Sequence, residues 1–155
     1  MPELLAEAVR LARENAEAGQ RPFGALVVQN GEGVSTGVNT ALRDFDPTAH
    51  AEVQAIRNAR AADLEGAIIV SSCEPCPMCQ AAAALVGVSR IVYAAPREVA
   101  AQAGFELGPL AAEMHALLQS GGPLQVEHAD TPGADEPFTR FAAAELRGPL
   151  PARDD

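Results

Sequence analysis

Apolar residues at the start of the chain recur at the spacing of an α-helix, and Gly19 follows them as a helix terminator. Between residues 3 and 18, the apolar positions of this pattern are Leu4, Leu5, Ala8, Val9, Leu11 and Ala12. The spacing predicts an opening helix with one buried face. Residues 24–29 are then predicted to form a strand, and Asn30-Gly31 is a strong signal for a hairpin turn into a second strand over residues 33–38.

Helices and short apolar strands alternate along the rest of the chain. The polar segment 39–48 ends in Asp46-Pro47-Thr48, a turn that is also expected to supply the N-cap of a second helix from about residue 49 to residue 62. The β-branched run 67–72 predicts a strand that is buried on both faces. Pro77 suits the first turn of a third helix, which is predicted to continue to Val86. Further strands are predicted at residues 90–94 and 124–127, and further helices at 97–103, 109–119 and 135–147.

This order of elements predicts a three-layer α/β/α sandwich with a mixed five-stranded sheet. A length of 155 residues fits one domain that spans residues 1–155, and no repeat or linker divides it. The motifs described below fall at strand-to-helix junctions, where open α/β sheets commonly bind their ligands. Their position alone favours a functional site.

Charge restricts the class of substrate. The formal net charge is -10 at pH 7 and the isoelectric point is near 4.7. Such a field repels phosphate backbones, which nucleic-acid-binding proteins contact through Lys and Arg, and no run of basic residues is present. A nucleic-acid polymer is therefore disfavoured as a substrate, and a small uncharged molecule is favoured.

The sequence carries no sign of export or membrane insertion. The N-terminus lacks a basic flank followed by an apolar core, and no stretch approaches the roughly 20 apolar residues that span a bilayer. We therefore expect a soluble, cytoplasmic protein without a membrane partner.

The three cysteines, Cys73, Cys76 and Cys79, lie within seven residues, which is too close for a disulfide framework and indicates metal or redox chemistry. Cys76 and Cys79 are three residues apart at the start of a predicted helix, so that both thiols point to one side and can hold one ion. The helix N-terminus also favours their thiolate forms. His50, at the start of the second helix, can supply a third ligand and leave the fourth zinc position for water, as in catalytic zinc sites.

Glu52 lies two residues after His50, about 200° around a regular helix, and is therefore expected beside the metal rather than bound to it. There it can take a proton from the zinc-activated water, deliver it to a ring nitrogen and later protonate departing ammonia. A Cys-x-x-Cys pair alone also fits a structural zinc site or a redox pair. Its combination with His-x-Glu, however, is the signature of the zinc deaminases.

The remaining cysteine and histidines have simpler interpretations. Cys73 extends the motif to Cys-x-x-Cys-x-x-Cys, but a cluster of the iron–sulfur type requires a fourth thiolate, and the chain has none. Cys73 is therefore predicted to be a buried, inert thiol. His115 and His128 are predicted to be surface or structural residues.

With these motifs in place, the sequence resembles the cytidine deaminase superfamily, and within it the bacterial guanine deaminase branch. The resemblance runs from about residue 4 to residue 106, with a weaker match at Pro137-Phe138. The matching segments are Pro22-Phe23-Gly24-Ala25, Asn39, the run 46–52, the run 72–79, Tyr93-Ala94-Ala95 and Ala103-Gly104-Phe105. The zinc motifs are shared across the superfamily, whereas Ala-Gly-Phe and Cys-Pro-Met-Cys favour guanine deaminase.

The resemblance implies one zinc ion per chain, attack of water at carbon 2 of guanine, and release of xanthine and ammonia. It also implies that Asn39, Phe23 and Ala51 bind the substrate, and an amide such as that of Asn39 can both donate to a base and accept from it. Asn39 is otherwise a turn residue, and Phe23 a core residue. Members of this family usually form homodimers, and this branch can exchange C-terminal segments, for which residues 135–155 are the candidate here.

One position departs from the guanine deaminase pattern. An acidic residue is expected shortly after Gly104-Phe105, but Leu107 occupies its place and Glu106 lies one position early. Either Glu106 acts as the catalytic carboxylate instead, or the substrate is another small heterocycle such as an aminotriazine, cytosine or a purine nucleoside. The tRNA adenosine deaminases share these motifs, but assignment of this chain to them conflicts with its acidic net charge. A non-enzymatic zinc-binding module would have no need of Glu52.

Overall fold

A five-stranded sheet forms the centre of the computed structural model, which describes residues 1–60, 64–122 and 124–145. The strands lie in the order β2-β1-β3-β4-β5. β1 pairs antiparallel with β2 and β3, whereas β3, β4 and β5 are parallel. The strands are β1 (Gly24–Gln29), β2 (Glu32–Val38), β3 (Ile68–Cys73), β4 (Arg90–Ala95) and β5 (Gln125–His128). The predicted mixed sheet is confirmed.

Six helices surround this sheet within the described residues. They are α1 (Pro2–Glu17), α2 (Ala51–Ala59), α3 (Pro77–Leu85), α4 (Arg97–Gln102), α5 (Pro109–Gln119) and α6 (Glu136–Glu145). Within these residues, no helix is both long and apolar enough to cross a bilayer. Most boundaries agree with the sequence-based prediction to within one or two residues, which is the usual uncertainty of helix and strand ends.

Side chains of the central strands alternate between two apolar layers, because successive residues of a strand point to opposite faces. Val27, Ile69 and Ile91 are fully buried in the layer shared with α2 and α3. Leu26, Val70 and Val92 lie in the other layer, against α1. The β3 strand is thus buried on both faces, as its continuous apolar run predicts.

The start of α2 differs from the prediction. The Asp46-Pro47-Thr48 turn does not cap the helix but forms its own local bonds: the Asp46 carboxylate accepts hydrogen bonds from the backbone N–H of Thr48 (2.8 Å) and from its hydroxyl (2.6 Å). His50 occupies the N-cap instead, with φ -74° and ψ 159°. The helix ends at Ala59, and residues 61 and 62 of its predicted extent lie outside the described residues.

Two glycines allow helices to lie directly on the sheet. A Cβ atom on Gly24 would be 2.7 Å from the Ala8 carbonyl oxygen in α1, and one on Gly37 would overlap backbone atoms of Ala51 and Ala55 in α2. The close contact between Gly37 and the α2 backbone sets the distance between α2 and β2. It therefore also sets the position of the His50-Ala51-Glu52 segment.

The described part of the C-terminal segment contacts its own chain. Phe138 of α6 is only 5% exposed and packs with Cys73, Ala95 and Ala100. Residues 146–155 of the segment proposed for exchange lie outside the described residues. Exchange between subunits stays a prediction.

Substitution Gly37→Ala is expected to destabilise the protein by about 1–3 kcal/mol, because the added methyl group overlaps the α2 backbone. The measurement is the free energy of unfolding in urea. Gly33→Ala in the same strand is the matched control, because the nearest atom to its Cβ, on Leu26, is 4.0 Å away. Equal stability of the two variants would show that α2 does not rest on Gly37.

Candidate active site and metal centre

Two helix starts bring the metal-binding side chains together. His50 is the N-cap of α2, and Cys76 is the N-cap of α3 with φ -72° and ψ 165°. Cys79 lies three residues further on, in the first turn of α3. Because α2 and α3 pack side by side on one face of the sheet, their N-termini place all three side chains at one point.

The distances between the three donor atoms match a tetrahedral zinc site. The Nδ1 atom of His50 is 3.5 Å from the Cys76 sulfur and 3.6 Å from the Cys79 sulfur, and the two sulfurs are 3.6 Å apart. Zinc–sulfur bonds of about 2.3 Å and a zinc–nitrogen bond of about 2.0 Å at tetrahedral angles imply separations of about 3.8 Å and 3.5 Å. Two thiolates and an imidazole are also a donor set that zinc prefers. The residues therefore fit zinc and leave one coordination position open.

The protonation of the two thiols is coupled. A hydrogen bond from Cys79 lowers the pKa of Cys76 to about 4, against the opposing effect of burial. The same contact, together with burial, raises the pKa of Cys79, and the contact with Cys76 raises the pKa of His50. A divalent cation favours both thiolates together, because its charge stabilises each of them.

Glu52 lies beside the donor atoms and is only 6% exposed. One carboxylate oxygen accepts a hydrogen bond from the Ser71 hydroxyl (2.9 Å), and the other lies 3.2 Å from the Cys79 sulfur. Ser71 of β3 thereby orients the carboxylate next to the metal site. Ser71 was not among the residues predicted from the sequence, although the two serine hydroxyls at the end of an otherwise apolar buried strand were a usable signal.

A cavity of about 210 Å³ opens beside the metal donors. Its walls contain every residue predicted to contact the substrate, together with three charged residues that the sequence analysis did not assign there. The lining residues are Arg21, Phe23, Asn39, His50, Ala51, Glu52, Glu74, Cys76, Arg97, Gly104, Phe105, Glu106 and Leu107. Arg21, Glu74 and Arg97 were missed because charged residues in loops and at helix starts resemble solvated surface residues in a sequence.

Asn39 is 2% exposed and lines the cavity. Its side-chain oxygen already accepts a hydrogen bond from the backbone N–H of Ala41 (3.1 Å). The oxygen is thus held by the backbone, and the NH₂ group is the part of the amide left to donate to a ligand. Ala51 is the first residue of α2, where a backbone N–H has no partner within the helix.

Aromatic rings form one wall of the cavity. Phe23 meets Phe105 edge to face with ring centres 5.2 Å apart, and it meets Phe138 at 5.7 Å. Phe105 also contacts Phe141 at 5.3 Å. The position of Phe23 thus agrees with both predictions made for it, as a substrate-binding residue and as a core residue. It lines the cavity, and it also packs against other aromatic rings.

Glu74 connects the metal-binding loop to two helices. Its carboxylate is buried and accepts hydrogen bonds from the backbone N–H of Arg97 (3.0 Å) and from the Gln119 amide (2.6 Å). The imidazole of His115 lies 3.0 Å from the same carboxylate. These contacts hold α4 and α5 against the loop before Cys76, and they give His115 a structural position.

The other predicted structural residues are also located. Cys73 is 2% exposed, and burial raises the pKa of its thiol to about 12. It lies outside the group of metal donors found among the described residues. One ring nitrogen of His128 lies 3.0 Å from the Ala94 carbonyl oxygen at the end of β4.

Comparison with known proteins agrees with this geometry. The family model of the cytidine and deoxycytidylate deaminase zinc-binding region matches residues 2–95. Guanine deaminase from Bacillus subtilis (strain 168) is 45% identical over 107 residues, which cover 66% of this chain and 69% of that protein. The X-ray structure of the Bacillus subtilis guanine deaminase has a TM-score of 0.67 at 31% identity and covers 99% of this chain and 96% of its own.

Two further relatives differ in their named ligand or substrate. A crystal structure of an NE0047 mutant in complex with 8-azaguanine has a TM-score of 0.77 at 25% identity, and the match covers 96% of this chain and 86% of that one. A tRNA-specific adenosine deaminase from Aquifex aeolicus (strain VF5) is 37% identical over 92 residues, or 57% of this chain and 61% of that protein.

We predict that the purified protein binds one zinc ion per chain, and that Cys76→Ala or Cys79→Ala weakens this binding at least about 100-fold, because each removes a direct thiolate ligand. Metal content by mass spectrometry and competition with a chelator are the measurements. Cys73→Ala is the matched control and should bind zinc normally. Loss of zinc from the Cys73 variant, or full zinc in the Cys76 variant, would show that the ligands are wrongly assigned.

Proposed function

The chain belongs to the family of the cytidine and deoxycytidylate deaminase zinc-binding region, and on this premise we propose that it converts guanine and water to xanthine and ammonia. The observation that carries the proposal is the position of Glu52, which lies beside the three zinc donors and in the wall of a cavity that Asn39 also lines. The 45% identity to the Bacillus subtilis guanine deaminase supports guanine as the substrate, as does the 8-azaguanine complex of a structural relative.

Glu52 moves the protons in the proposed reaction. A zinc ion held by His50, Cys76 and Cys79 supplies Lewis acidity that makes water nucleophilic near neutral pH. Glu52 accepts the proton of the water as its oxygen bonds to carbon 2, and transfers that proton to the adjacent ring nitrogen. It then passes the second proton of the water to the amino group, whose bond to carbon 2 breaks as ammonia leaves. The hydrogen bond from Ser71 keeps the carboxylate in place.

Three residues are proposed to orient the base. The Asn39 NH₂ group and the Ala51 backbone N–H donate hydrogen bonds to acceptor atoms on the base, because neither group has another assigned role in the cavity. Phe23 packs against the base through the ring face or edge that its contacts with Phe105 and Phe138 leave open. Each contact requires the base to lie close to the metal donors.

Glu106 is proposed to contact the amino group of the base. It lines the cavity and is exposed, whereas the adjacent Leu107 is half-buried and offers no carboxylate. A second candidate function follows from Leu107, which occupies the position where a guanine deaminase is expected to carry an acidic residue. This function is the deamination of another small heterocycle, such as an aminotriazine, cytosine or a purine nucleoside. A tRNA substrate is disfavoured by the net charge of -10.

We also propose that the protein acts as a homodimer in the cytoplasm. The α5 helix has no buried residue, and its Leu110, Met114 and Leu117 side chains are 73%, 50% and 72% exposed. Leu85 at the end of the neighbouring α3 is 87% exposed. Exposed apolar residues grouped in this way commonly mark a protein interface. A reducing compartment keeps cysteines from forming disulfides, which supports the cytoplasmic location for a chain with thiolate ligands.

Glu52→Gln should retain zinc but lose turnover of guanine by about 10⁴-fold or more. General acid–base catalysis is typically worth about 10²- to 10⁴-fold, and Glu52 acts at more than one step. Ammonia release by the zinc-loaded protein is the measurement, and metal content is measured in the same samples. An active Glu52→Gln enzyme would contradict the proposed proton transfers.

Glu106→Gln is the comparison variant, because it converts the second candidate carboxylate of the cavity to an amide of equal size. If Glu106 contacts the amino group, its loss reduces guanine turnover and leaves zinc in place. Normal activity would remove Glu106 from the mechanism. The same assay with cytosine, adenine, aminotriazines and their nucleosides tests which substrate the enzyme prefers. Faster turnover of one of these compounds than of guanine would contradict guanine as the substrate.

Light scattering should give a mass near twice 16.1 kDa for the native protein, and Leu110→Glu with Leu117→Glu should shift it to the monomer, because charges on this face oppose its burial. Val34→Glu on the outer strand β2, where Val34 is 47% exposed, is the matched control. A monomeric native protein would exclude both the homodimer and the exchange of C-terminal segments.

A further inference from the structure

Arg21 is a cation in the cavity wall that has no counter-ion among the residues the structure describes. Most other arginines among residues 1–60, 64–122 and 124–145 form ion pairs with carboxylates, whereas no carboxylate in these ranges pairs with Arg21. The paired arginines are Arg10, Arg13, Arg43, Arg57, Arg90 and Arg140. In a chain of 21 acidic and 11 basic residues, a guanidinium kept free beside the metal site indicates a role toward a ligand.

The backbone around Arg21 is held next to Asn39. The side-chain NH₂ group of Asn15 donates to the carbonyl oxygens of both Arg21 and Asn39, each at 2.8 Å. The backbone N–H of Asn39 also donates to the Phe23 carbonyl (3.1 Å). Pro22 restricts Arg21 to extended backbone conformations, because its ring clashes with a helical residue before it. The side chains of Arg21 and Asn39 therefore belong to one part of the cavity wall.

This part of the wall offers mainly hydrogen-bond donors. The oxygen of Asn39 is held by the backbone N–H of Ala41, and the NH₂ group of its amide has no partner among the described residues. A guanidinium has five N–H donors and no acceptor. A ligand that fits here must present acceptor atoms on the edge that faces Arg21 and Asn39.

We propose that Arg21, together with Asn39, binds the edge of the purine that carries N7 and O6, and that this contact selects a 6-oxopurine. The N7 and O6 atoms of guanine are adjacent acceptors whose spacing matches a guanidinium, whereas adenine presents a donor at position 6. The inference rests on the proposed function, since it specifies how the same site distinguishes guanine from other bases. Arg21 is in this sense a specificity-determining residue.

Arg21→Met should raise the KM for guanine about 10- to 100-fold and change kcat by less than about 3-fold, because the contact to this edge is equally strong in the bound substrate and the transition state. Arg21→Lys should recover part of the loss, since it keeps the charge without the two parallel donors. Arg43→Met is the matched control. Arg43 is 63% exposed and pairs only with its neighbour Asp44 among the described residues, so its loss should leave KM unchanged.

Guanine analogues identify the edge that is contacted. In the native enzyme, 7-deazaguanine, which lacks N7, and 2-aminopurine, which lacks O6, should show a lower kcat/KM than guanine. In Arg21→Met, the ratio of kcat/KM for guanine to kcat/KM for at least one analogue should fall toward 1. The reason is that the side chain that contacts the missing atom is already absent. An equal loss for all three bases would assign Arg21 to stacking on the ring and overturn the proposal.

Direct binding separates this inference from the proposed function. Absence of guanine turnover by the native zinc-loaded enzyme contradicts the proposed function. The inference is then judged by calorimetric binding of guanine and 7-deazaguanine to zinc-loaded Glu52→Gln, with and without Arg21→Met. The inference stands if Arg21→Met weakens guanine binding and also reduces the ratio of the guanine and 7-deazaguanine affinities. It fails if guanine does not bind, or if Arg21→Met changes neither the guanine affinity nor this ratio. A native preference for guanosine monophosphate that Arg21→Met abolishes would assign Arg21 to a phosphate and also overturn the proposal.

Discussion

The rest of the active site depends on the meeting of two helix N-termini. His50 and Cys76 are both N-cap residues with extended backbone, so their side chains leave the helix ends toward the same point, and Cys79 joins them from the first turn of α3. The three donor atoms are 3.5–3.6 Å apart, which is the spacing that a tetrahedral zinc ion requires. A shift of either helix by about 1 Å would lose this geometry, because metal–ligand distances tolerate only about 0.2 Å. The contacts that position α2 and α3 are therefore part of the metal centre.

Those contacts come from the sheet and from one buried carboxylate. Gly37 lets α2 lie directly on β2, and the end of β3 delivers the metal-binding loop to α3. Glu74, at the start of that loop, accepts hydrogen bonds from residues of α4 and α5. The segment that contributes Phe105 and Glu106 to the cavity connects these two helices, so Glu74 links the metal donors to the substrate-facing wall. A buried carboxylate is retained here because each of its oxygens has a partner.

Local electrostatics in the cavity differ from those of the whole chain. The net charge of -10 opposes polyanions, yet Arg21 and Arg97 both line the cavity. Arg97 donates to the Glu74 carbonyl and so belongs to the wall, whereas Arg21 has no such partner among the described residues. The cavity thus combines a buried carboxylate, that of Glu52, with the hydrogen-bond donors of Arg21 and Asn39. A polar but uncharged heterocycle with acceptors on one edge and an amino group on the other complements this arrangement.

The order of strands and helices, the zinc donors and Glu52 were all predictable from the sequence, because apolar periodicity and the His-x-Glu and Cys-x-x-Cys spacings are local properties of the chain. The prediction that the Asp46-Pro47-Thr48 turn supplies the N-cap of α2 was wrong, since the helix starts at Ala51 and His50 occupies the N-cap. Ser71, Glu74 and Arg21 could not be assigned from sequence, because their partners are distant along the chain or, for Arg21, absent among the described residues. The tertiary structure also decided that the Asn39 oxygen is held by the backbone N–H of Ala41, which leaves the NH₂ group to donate to a ligand. Sequence spacing determines which groups can share a helix end, whereas only the packed chain determines which hydrogen-bonding groups remain free for a ligand.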